Sequence, residues 1–169
     1  FTQTTVKYGV VVSSSYSDPN TTVTIAVNTD YTIANAAISA NYYSYKVSPQ
    51  GYPHWFNFAT TWAGFSSNPT GVTFKYKIDG NTCYFTLQTS GTGTSNATTL
   101  TFTVPVTAVL SEFLFGWCRV YDNGAHATTP GQLQSSAASA TISAYKTNYQ
   151  GAWTATGEKT LAAKVFFEF

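Results

Sequence analysis

The sequence is poor in charged residues. Only 9% of its 169 residues are Asp, Glu, Lys or Arg, against about 25% in an ordinary globular protein. The eight basic residues are balanced by seven acidic ones and are spread along the chain, so no basic stripe is available to neutralise a run of phosphates. We therefore expect no nucleic-acid partner. A net charge of +1 gives little repulsion between copies, which favours self-association.

Methionine and long hydrophobic runs are also missing. Because the sequence has no methionine and begins at Phe1, we expect either a mature product after cleavage or a part of a longer protein. No apolar run reaches the length that a membrane-spanning helix needs. We therefore expect no membrane insertion, and a soluble or extracellular product.

Cysteine occurs only twice, at Cys83 and Cys118. Both residues fall in strand-like runs, on faces that are mainly apolar. The preferred interpretation is that they are two buried thiols acting as small hydrophobic groups. A disulfide stays open as the alternative, and closing its loop would contribute about 3 to 4 kcal/mol.

Motifs for catalysis and for metal binding are absent. His54 and His126 are far apart, and neither has a partner at metal-ligand spacing. Asp122 and His126 could approach each other across a turn, but no third ligand is near. The sequence has no nucleophile elbow and no P-loop, and only Glu112 and Glu158 remain as a carboxylate pair for glycoside hydrolysis. We predict a non-enzymatic protein without a metal or a cofactor.

Alternation of apolar and polar residues is abundant in this chain. The run VTFKYKI at 72–78 has the period of two that is typical of a strand with one buried face. Asp79-Gly80 predicts a tight turn into a second strand, TCYFTLQ. The run 100–106 alternates again, and Pro105 in it indicates an edge strand or a strand end. Further strands are predicted in 5–17, 21–29, 113–121, 139–146 and 158–169, whereas 125–136 is predicted as a loop or short edge.

These runs predict an all-β protein, because no segment has the pattern of an amphipathic helix. A turn at Asp18-Pro19-Asn20 joins the first two strands into a hairpin, and the segment 29–46 is interpreted as strand or irregular. Many short strands with turn signals at near-regular spacing are typical of an antiparallel β-sandwich, jelly-roll-like in form. We predict an N-terminal β-hairpin arm or small β subdomain in 1–56 and the sandwich in 57–169.

Aromatic residues make up 17% of the chain, and many of them fall in or beside turns. A flat aromatic side chain with polar neighbours is a usual platform for a sugar or a partner surface. Most of these residues are nevertheless expected to fill the core and the subunit interfaces. Tyr149 and Trp153, which flank the NYQGA turn, are candidates for exposure. Asp122 and Asn123 are predicted at the same end of the sandwich. These four are the candidate ligand-binding residues.

The strand EFLFGWCRVY has apolar residues on both of its faces. Such a pattern is typical of a strand covered on two sides, either inside a sandwich or under a neighbouring subunit. We therefore predict that Phe113, Phe115 and Trp117 lie at an oligomer interface.

Several ordered segments together resemble one known family. They are WAGFSSNPTGVTFKYKIDGNTCYFTL, then GTSNATTLTFTVPVTA, then VYDNGAHATTPGQL, AWTATGEK and a last strand that ends in FFEF. From about Trp62 to Phe169 the chain is similar to the C-terminal β-rich domains of phage tail-fibre and related virion proteins. The resemblance implies a structural or receptor-contacting domain, usually trimeric, without cofactor or catalysis, in a virion or outside the cell. It carries over no binding residues.

Two hypotheses from other functional classes stay open. One is a subunit of an extracellular filament, in which a strand of one copy completes the sandwich of the next. The other is a monomeric carbohydrate-binding module with an exposed aromatic stripe. The predicted partners are a second copy of the chain and a glycan or protein receptor on a cell surface.

Overall fold

The computed structural model describes residues 1–46, 52–109, 113–136 and 138–169, and it describes the side chains of the strand Phe113–Asp122 from Trp117 onward. No helix occurs in these residues. Their strands are β1 (Thr2–Gln3), β2 (Thr5–Val6), β3 (Gly9–Ser17), β4 (Asn20–Val27), β5 (Phe56–Asn57), β6 (Trp62–Ala63), β7 (Phe65–Ser67), β8 (Val72–Asp79), β9 (Thr82–Thr89), β10 (Gly93–Ser95), β11 (Leu100–Ala108), β12 (Phe113–Asp122), β13 (Ala125–His126), β14 (Gly131–Ser135), β15 (Ser139–Tyr145) and β16 (Glu158–Glu168).

One curled antiparallel sheet forms the body of the protein. Its strands follow the order β5-β8-β9-β16-β12-β14-β15-β11-β6, with β10 beside β16 and β7, and β13 beside β12. The two ends of this sheet face each other, because the ring of Phe102 on β11 lies 6.2 Å from Phe74 on β8 and 6.0 Å from Phe85 on β9. The predicted all-β antiparallel fold is confirmed, and the curled sheet is consistent with a sandwich.

The core follows from the alternation in the strands. In β9, Cys83, Phe85 and Leu87 are buried, whereas Tyr84 and Thr86 on the other face are partly exposed. Strands β11 and β16 bury every second residue in the same way. The sheet therefore has one apolar face turned inward and one polar face turned outward.

Two hairpins close with two-residue turns. β8 and β9 pair up to Asp79 and Thr82, so the turn consists of Gly80-Asn81 and begins one residue later than predicted. Gly80 has a φ of 58°, a left-handed conformation that glycine adopts without a steric penalty. β12 and β13 are joined by Asn123-Gly124, which confirms the turn that the sequence Asp122-Asn123-Gly124 predicts.

Strand β14 corrects the prediction of a loop or short edge in 125–136. It is an interior strand that pairs with both β12 and β15. A Cβ atom on Gly131 would lie 2.7 Å from Cys118 Sγ and 2.5 Å from Val120 Cγ2, so the close approach of β14 to β12 requires glycine there. The small inward residues hide the alternation, because Leu133 is the one large apolar residue in GQLQS.

The N-terminal arm, residues 1–46, has two small sheets of its own. β1 pairs with β2, and β3 pairs with β4 in a hairpin. The predicted strand 5–17 is interrupted at Lys7-Tyr8. Its alternation predicts Val6 and Tyr8 on one face with Val10 and Val12, which is wrong at Val6, because Val6 is exposed whereas Lys7 is buried. Lys7 turns inward because its Nζ donates to the carbonyl of Gln3 at 2.6 Å. The segment 29–46 is irregular apart from one bridge between Thr2 and Ser39.

The arm and the body meet near Phe56. Phe56 is buried and pairs with Tyr76 of β8, so the body already includes this residue. The Tyr76 hydroxyl donates to the carbonyl of Val27 at 2.8 Å, which ties the base of the β3–β4 hairpin to the sandwich. The proline, glycine and aromatic residues of 48–69 predict a connecting loop between the arm and the body. Residues 48–51 lie outside the described part of the chain, and the short strands β5, β6 and β7 correct the rest of this prediction.

The two cysteines are buried free thiols, which confirms the preferred interpretation. Cys83 pairs with Phe167 and Cys118 pairs with Ala163 on the intervening strand β16. Two strand spacings separate them by about 10 Å before any offset along the strands is counted, which is too far for a disulfide. Burial raises the pKa of each thiol to about 12.

Candidate functional site at the loop end of the sandwich

The four predicted ligand-binding residues do lie at one end of the sandwich. The β12–β13 turn carries Asp122 and Asn123, and the loop 146–157 between β15 and β16 carries Tyr149 and Trp153. Thr154 of that loop donates to Asp122 Oδ2 from its backbone nitrogen at 3.3 Å and from its hydroxyl at 3.0 Å. The structure thus brings the two segments together, but their side chains have different roles.

Asp122 is a structural ion-pair centre. Its Oδ1 lies 2.6 Å from Lys159 Nζ, and its Oδ2 lies 2.7 Å from Lys146 Nζ. The Asp122 and Lys159 side chains are each only 1% exposed, whereas that of Lys146 is 35% exposed. Lys159 also donates to the carbonyl of Thr156 at 2.7 Å. The carboxylate of Asp122 therefore holds β12, β16 and the loop 146–157 together.

The electrostatics agree with this role. Burial alone would raise the pKa of Asp122, but the hydrogen bonds from Lys146, Lys159 and Thr154 lower it below its ordinary value. An ionised carboxylate with both oxygens held by ammonium groups has no free oxygen to offer a ligand. Asp122 supports the geometry of the site and does not supply a binding group.

Trp153 corrects the expectation of an exposed aromatic residue. It is 2% exposed and belongs to the core. Its indole nitrogen donates to the carbonyl of Ala144 at 2.7 Å, and its backbone nitrogen donates to the carbonyl of Thr98 at 3.0 Å. An indole can be buried here because its one polar atom has a partner. Trp153 closes this end of the sandwich.

Tyr149 and Asn123 are exposed, as the aromatic and turn patterns predicted. Tyr149 is 88% exposed in a loop whose shape is fixed from inside, since Gly151 donates to the Thr147 hydroxyl at 3.1 Å. Asn123 has a φ of 50°, and its backbone nitrogen donates to the carbonyl of Glu158 at 2.8 Å. Both side chains are accessible to a partner.

A small cleft opens beside the buried ion pair. Its volume is about 240 Å³, enough for a sugar ring or a short side chain. The lining combines a carboxylate, an imidazole, an ammonium group and hydroxyls in Asp122, Ala125, His126, Ala127, Thr128, Thr129, Lys146 and Thr147. The hydroxyl and ammonium groups of this lining can donate hydrogen bonds to a polar ligand.

His126 connects this cleft with the outer face of the sheet. Arg119 Nη2 lies 3.0 Å from His126 Nε2. A guanidinium group can only donate, so Nε2 accepts this bond and the hydrogen of the neutral ring is on Nδ1. Tyr121 packs edge-on against the same ring at 5.1 Å. The imidazole is thereby held in one orientation at the rim of the cleft.

Of the three predicted interface residues, only Trp117 has a described side chain. Trp117 is 67% exposed on the outer face, while its neighbours Cys118 and Val120 are buried in the core. The side chains of Phe113 and Phe115 lie outside the described part of the chain.

Potential metal ligands are not clustered in the residues that the structure describes. No group of three or more His, Cys, Asp or Glu side chains is placed to hold a metal ion there. Glu158 is exposed, and Glu112 lies outside the described residues. Within the same ranges no helix is long and apolar enough to cross a membrane.

Lys146 and Lys159 were missed by sequence reasoning, although one of them carries a signal. Lys159 shares the inward face of β16 with Leu161, Ala163 and Val165, and Asp122 shares that of β12 with Val120. A charged residue in register with an apolar face predicts a buried ion pair. Lys146 follows the end of β15 and has no such signal.

Comparison of the chain with family models, with curated proteins and with solved structures finds no match in any of the three.

Proposed function

We propose that this chain is a non-enzymatic structural domain of a virion, comparable to a tail-fibre domain, that works as a homo-oligomer and contributes to attachment to a host or receptor. The observation that carries the proposal is the apolar surface of the N-terminal arm. The low charge of the chain and the resemblance to virion proteins support it.

The arm adds nothing to the buried hydrophobic core. All of the buried hydrophobic residues in the described part of the chain lie at Phe56 or beyond. The hairpin base is packed against the body through Val10, Val12 and Ala26, and Asn28 and Thr29 beside it make hydrogen bonds to Asn57 and Ala59. Among the residues whose side chains are described, fifteen large hydrophobic residues are exposed. Ten of these belong to the arm, namely Val6, Val11, Tyr16, Val23, Ile25, Ile33, Ile38, Tyr42, Tyr43 and Tyr45.

The exposed apolar surface of the arm would be stabilised by a partner that packs on it. A lone two-stranded hairpin is marginally stable in water, and Val11 and Ile25, which are exposed, stand opposite each other on β3 and β4. Burying a valine or isoleucine side chain contributes about 1.5–3 kcal/mol. We propose that a second copy of the chain buries this surface, because a net charge of +1 opposes association only weakly.

Whether the assembly is a closed ring or an open fibre distinguishes the virion domain from the extracellular filament. A cyclic assembly hides the arm of every copy, whereas a head-to-tail contact that does not close propagates into a fibre. The resemblance favours the closed form, and a trimer in particular. The extracellular filament is the second candidate. Within the described ranges β3 and β4 pair only with each other, so each has an edge to which another strand could add.

Attachment is proposed at the loop end of the sandwich, away from the core. Tyr149 is an exposed aromatic residue on an internally braced loop, beside a cleft rich in hydroxyl groups. A cell-surface glycan or a protein receptor would meet these groups first.

Electron microscopy of the purified chain tests the proposal. Closed particles of one size support a virion domain, and three-fold views among them support the trimer. Open fibres without a defined end would move the assignment to the filament. Single isolated domains at micromolar concentration would exclude the proposed assembly and favour the hypothesis of a carbohydrate-binding module.

A further inference from the structure

The outward face of β8, β9, β16 and β12 collects half of the basic residues of the chain. Four of the eight Lys and Arg residues lie there, namely Lys75, Lys77, Arg119 and Lys164. We call this surface the outer face. The sequence spreads these residues over some ninety positions, so the cluster arises only from the strand order.

The register sets the basic residues in rows with aromatic and polar side chains. Lys75 pairs with Thr86, and Thr86 pairs with Lys164. Cys118 pairs with Ala163, so the neighbouring Trp117 lies beside Lys164. By strand geometry the ammonium-bearing residues are spaced by about 7 Å along β8 and about 10 Å across the strands.

The adjoining row is aromatic. Lys77 pairs with Tyr84, and Tyr84 pairs with Phe166. The Tyr84 and Phe166 rings are 5.6 Å apart, and Lys77 Nζ lies 4.8 Å from the centre of the Tyr84 ring. Phe166 is 44% exposed. The outer face therefore presents flat rings and cations side by side.

Among the residues that the structure describes, the acidic residues of this face stand at its ends. Asp79 and Glu168 both pair with Thr82 at one end, and Glu158 begins β16 at the other. Between these ends, the described residues of the row from Lys75 to Lys164 and of the row from Lys77 to Phe166 include cations and no acid. The middle of the outer face therefore attracts anions.

We propose that the outer face binds an acidic polysaccharide, a sugar chain that carries carboxylate groups. The proposal rests on the attachment role proposed above. It extends the contact surface from the loop-end cleft onto the outer face, which the bond between Arg119 and His126 joins to that cleft, and it names the class of ligand. The rings of Trp117 and Phe166 offer negative π faces to the C–H groups of sugar rings. Lys75, Lys164 and Arg119 offer charge-assisted hydrogen bonds to carboxylates.

Two other occupants fit this face less well. A second copy that met it through its own outer face would bring like charges together, which costs free energy. A nucleic acid carries a phosphate at every step, and the acids at both ends would repel a continuous run of them. A polysaccharide with spaced carboxylates and many hydroxyls matches the spaced cations and the neutral Thr73, Thr86 and Gln88 between them.

Affinity electrophoresis of the full chain tests this assignment. The probe is polygalacturonate in the gel, with dextran as the uncharged sugar polymer and single-stranded DNA as the phosphate polymer. We expect retardation by polygalacturonate alone, weakened by salt because the charges are exposed. Lys75→Gln and Lys164→Gln should each weaken binding about two- to fivefold, as the loss of one exposed charge contact implies.

The matched control is Lys46→Gln, which removes one exposed positive charge from the arm and should leave the retardation unchanged. Phe166→Thr places a β-branched residue, which is favourable in a strand, at this position of β16 and should weaken binding by loss of stacking. Light scattering on each variant reports assembly separately, so a failure of binding is distinguishable from a failure of the oligomer.

Three results would overturn the assignment. Equal retardation by dextran would show that binding does not depend on charge. Stronger retardation by DNA would show that the outer face prefers nucleic acid. Dissociation of the oligomer by Trp117→Ala would show that this face is the predicted oligomer interface instead.

Discussion

Asp122 and Lys159 face each other across β12 and β16, and their side chains form an ion pair inside the sandwich, with 2.6 Å between Oδ1 and Nζ. Each side chain is 1% exposed. Asp122→Asn leaves Lys159 as a buried cation without its counter-ion, so we expect a loss of about 3–5 kcal/mol in the free energy of unfolding. Urea unfolding followed by circular dichroism measures the loss.

Two variants control this prediction. Lys146→Gln removes the more exposed partner and should cost about 1 kcal/mol or less. Asp122→Leu with Lys159→Met removes both buried charges and should be close to neutral, because an apolar pair of similar volume avoids the desolvation cost. An Asp122→Asn protein as stable as the wild type would contradict the central role of this ion pair.

The same carboxylate predicts how stability depends on pH. Its pKa is lowered in the folded state, whereas in the unfolded chain it titrates near about 3.9. A lowered folded pKa stabilises the protein above the unfolded value, and this stabilisation is lost as the pH falls through the folded value. We therefore expect no change from Asp122 near neutrality and a loss of stability in strong acid.

Melting temperatures between pH 7 and pH 2 check this expectation. The Asp122→Leu, Lys159→Met protein lacks the titrating pair and should show a shallower acid decline than the wild type. Identical declines in the two proteins would show that other carboxylates cause the whole effect.

The sequence predicted the body of the fold because its strands alternate strongly. Residues 72–78 and 158–169 each show one apolar face, and the structure turns that face inward. β14 was missed because the narrow core next to Cys118 requires Gly131, whose absent side chain removes the apolar signal. Register between strands far apart in sequence could not be predicted either, and it alone assembles Lys75, Lys164 and Arg119 on one face.

The candidate site was predicted in place but not in role. Turn signals located Asn123 and Tyr149 correctly at the surface. They also indicated exposure for Trp153, because its neighbours are small and polar, whereas the fold of the loop directs the indole to Ala144. Local composition reports whether a segment is a loop and does not report which of its side chains the loop buries.

Trp153 and Tyr149 should therefore respond in opposite ways to substitution. Trp153→Ala removes a large core residue and should lower the free energy of unfolding by about 3–5 kcal/mol. Tyr149→Ala removes an exposed ring and should change stability by less than about 0.5 kcal/mol, while weakening attachment to cells. Chemical unfolding together with a cell-binding assay separates the two effects. Unchanged attachment of Tyr149→Ala would remove this loop from the contact surface.

The thiols should be inert in the folded protein. Both are buried with pKa values raised to about 12, so the reactive thiolate form is scarce at neutral pH. A thiol reagent should label neither cysteine until guanidinium unfolds the chain, and both afterwards. The melting temperature should not change with reductant, whereas a drop of several degrees would show a disulfide.

Multi-angle light scattering of the purified chain tests the central claim, assembly through the arm, most directly. We expect the wild type to have three times the mass of one chain at micromolar concentration. Val11→Thr with Ile25→Thr keeps β-branched residues in the exposed pair and should release monomers with an intact sandwich, whereas Val72→Thr on the body should leave the assembly unchanged. A wild-type chain that is monomeric at that concentration, or an arm variant that still assembles, would contradict the account.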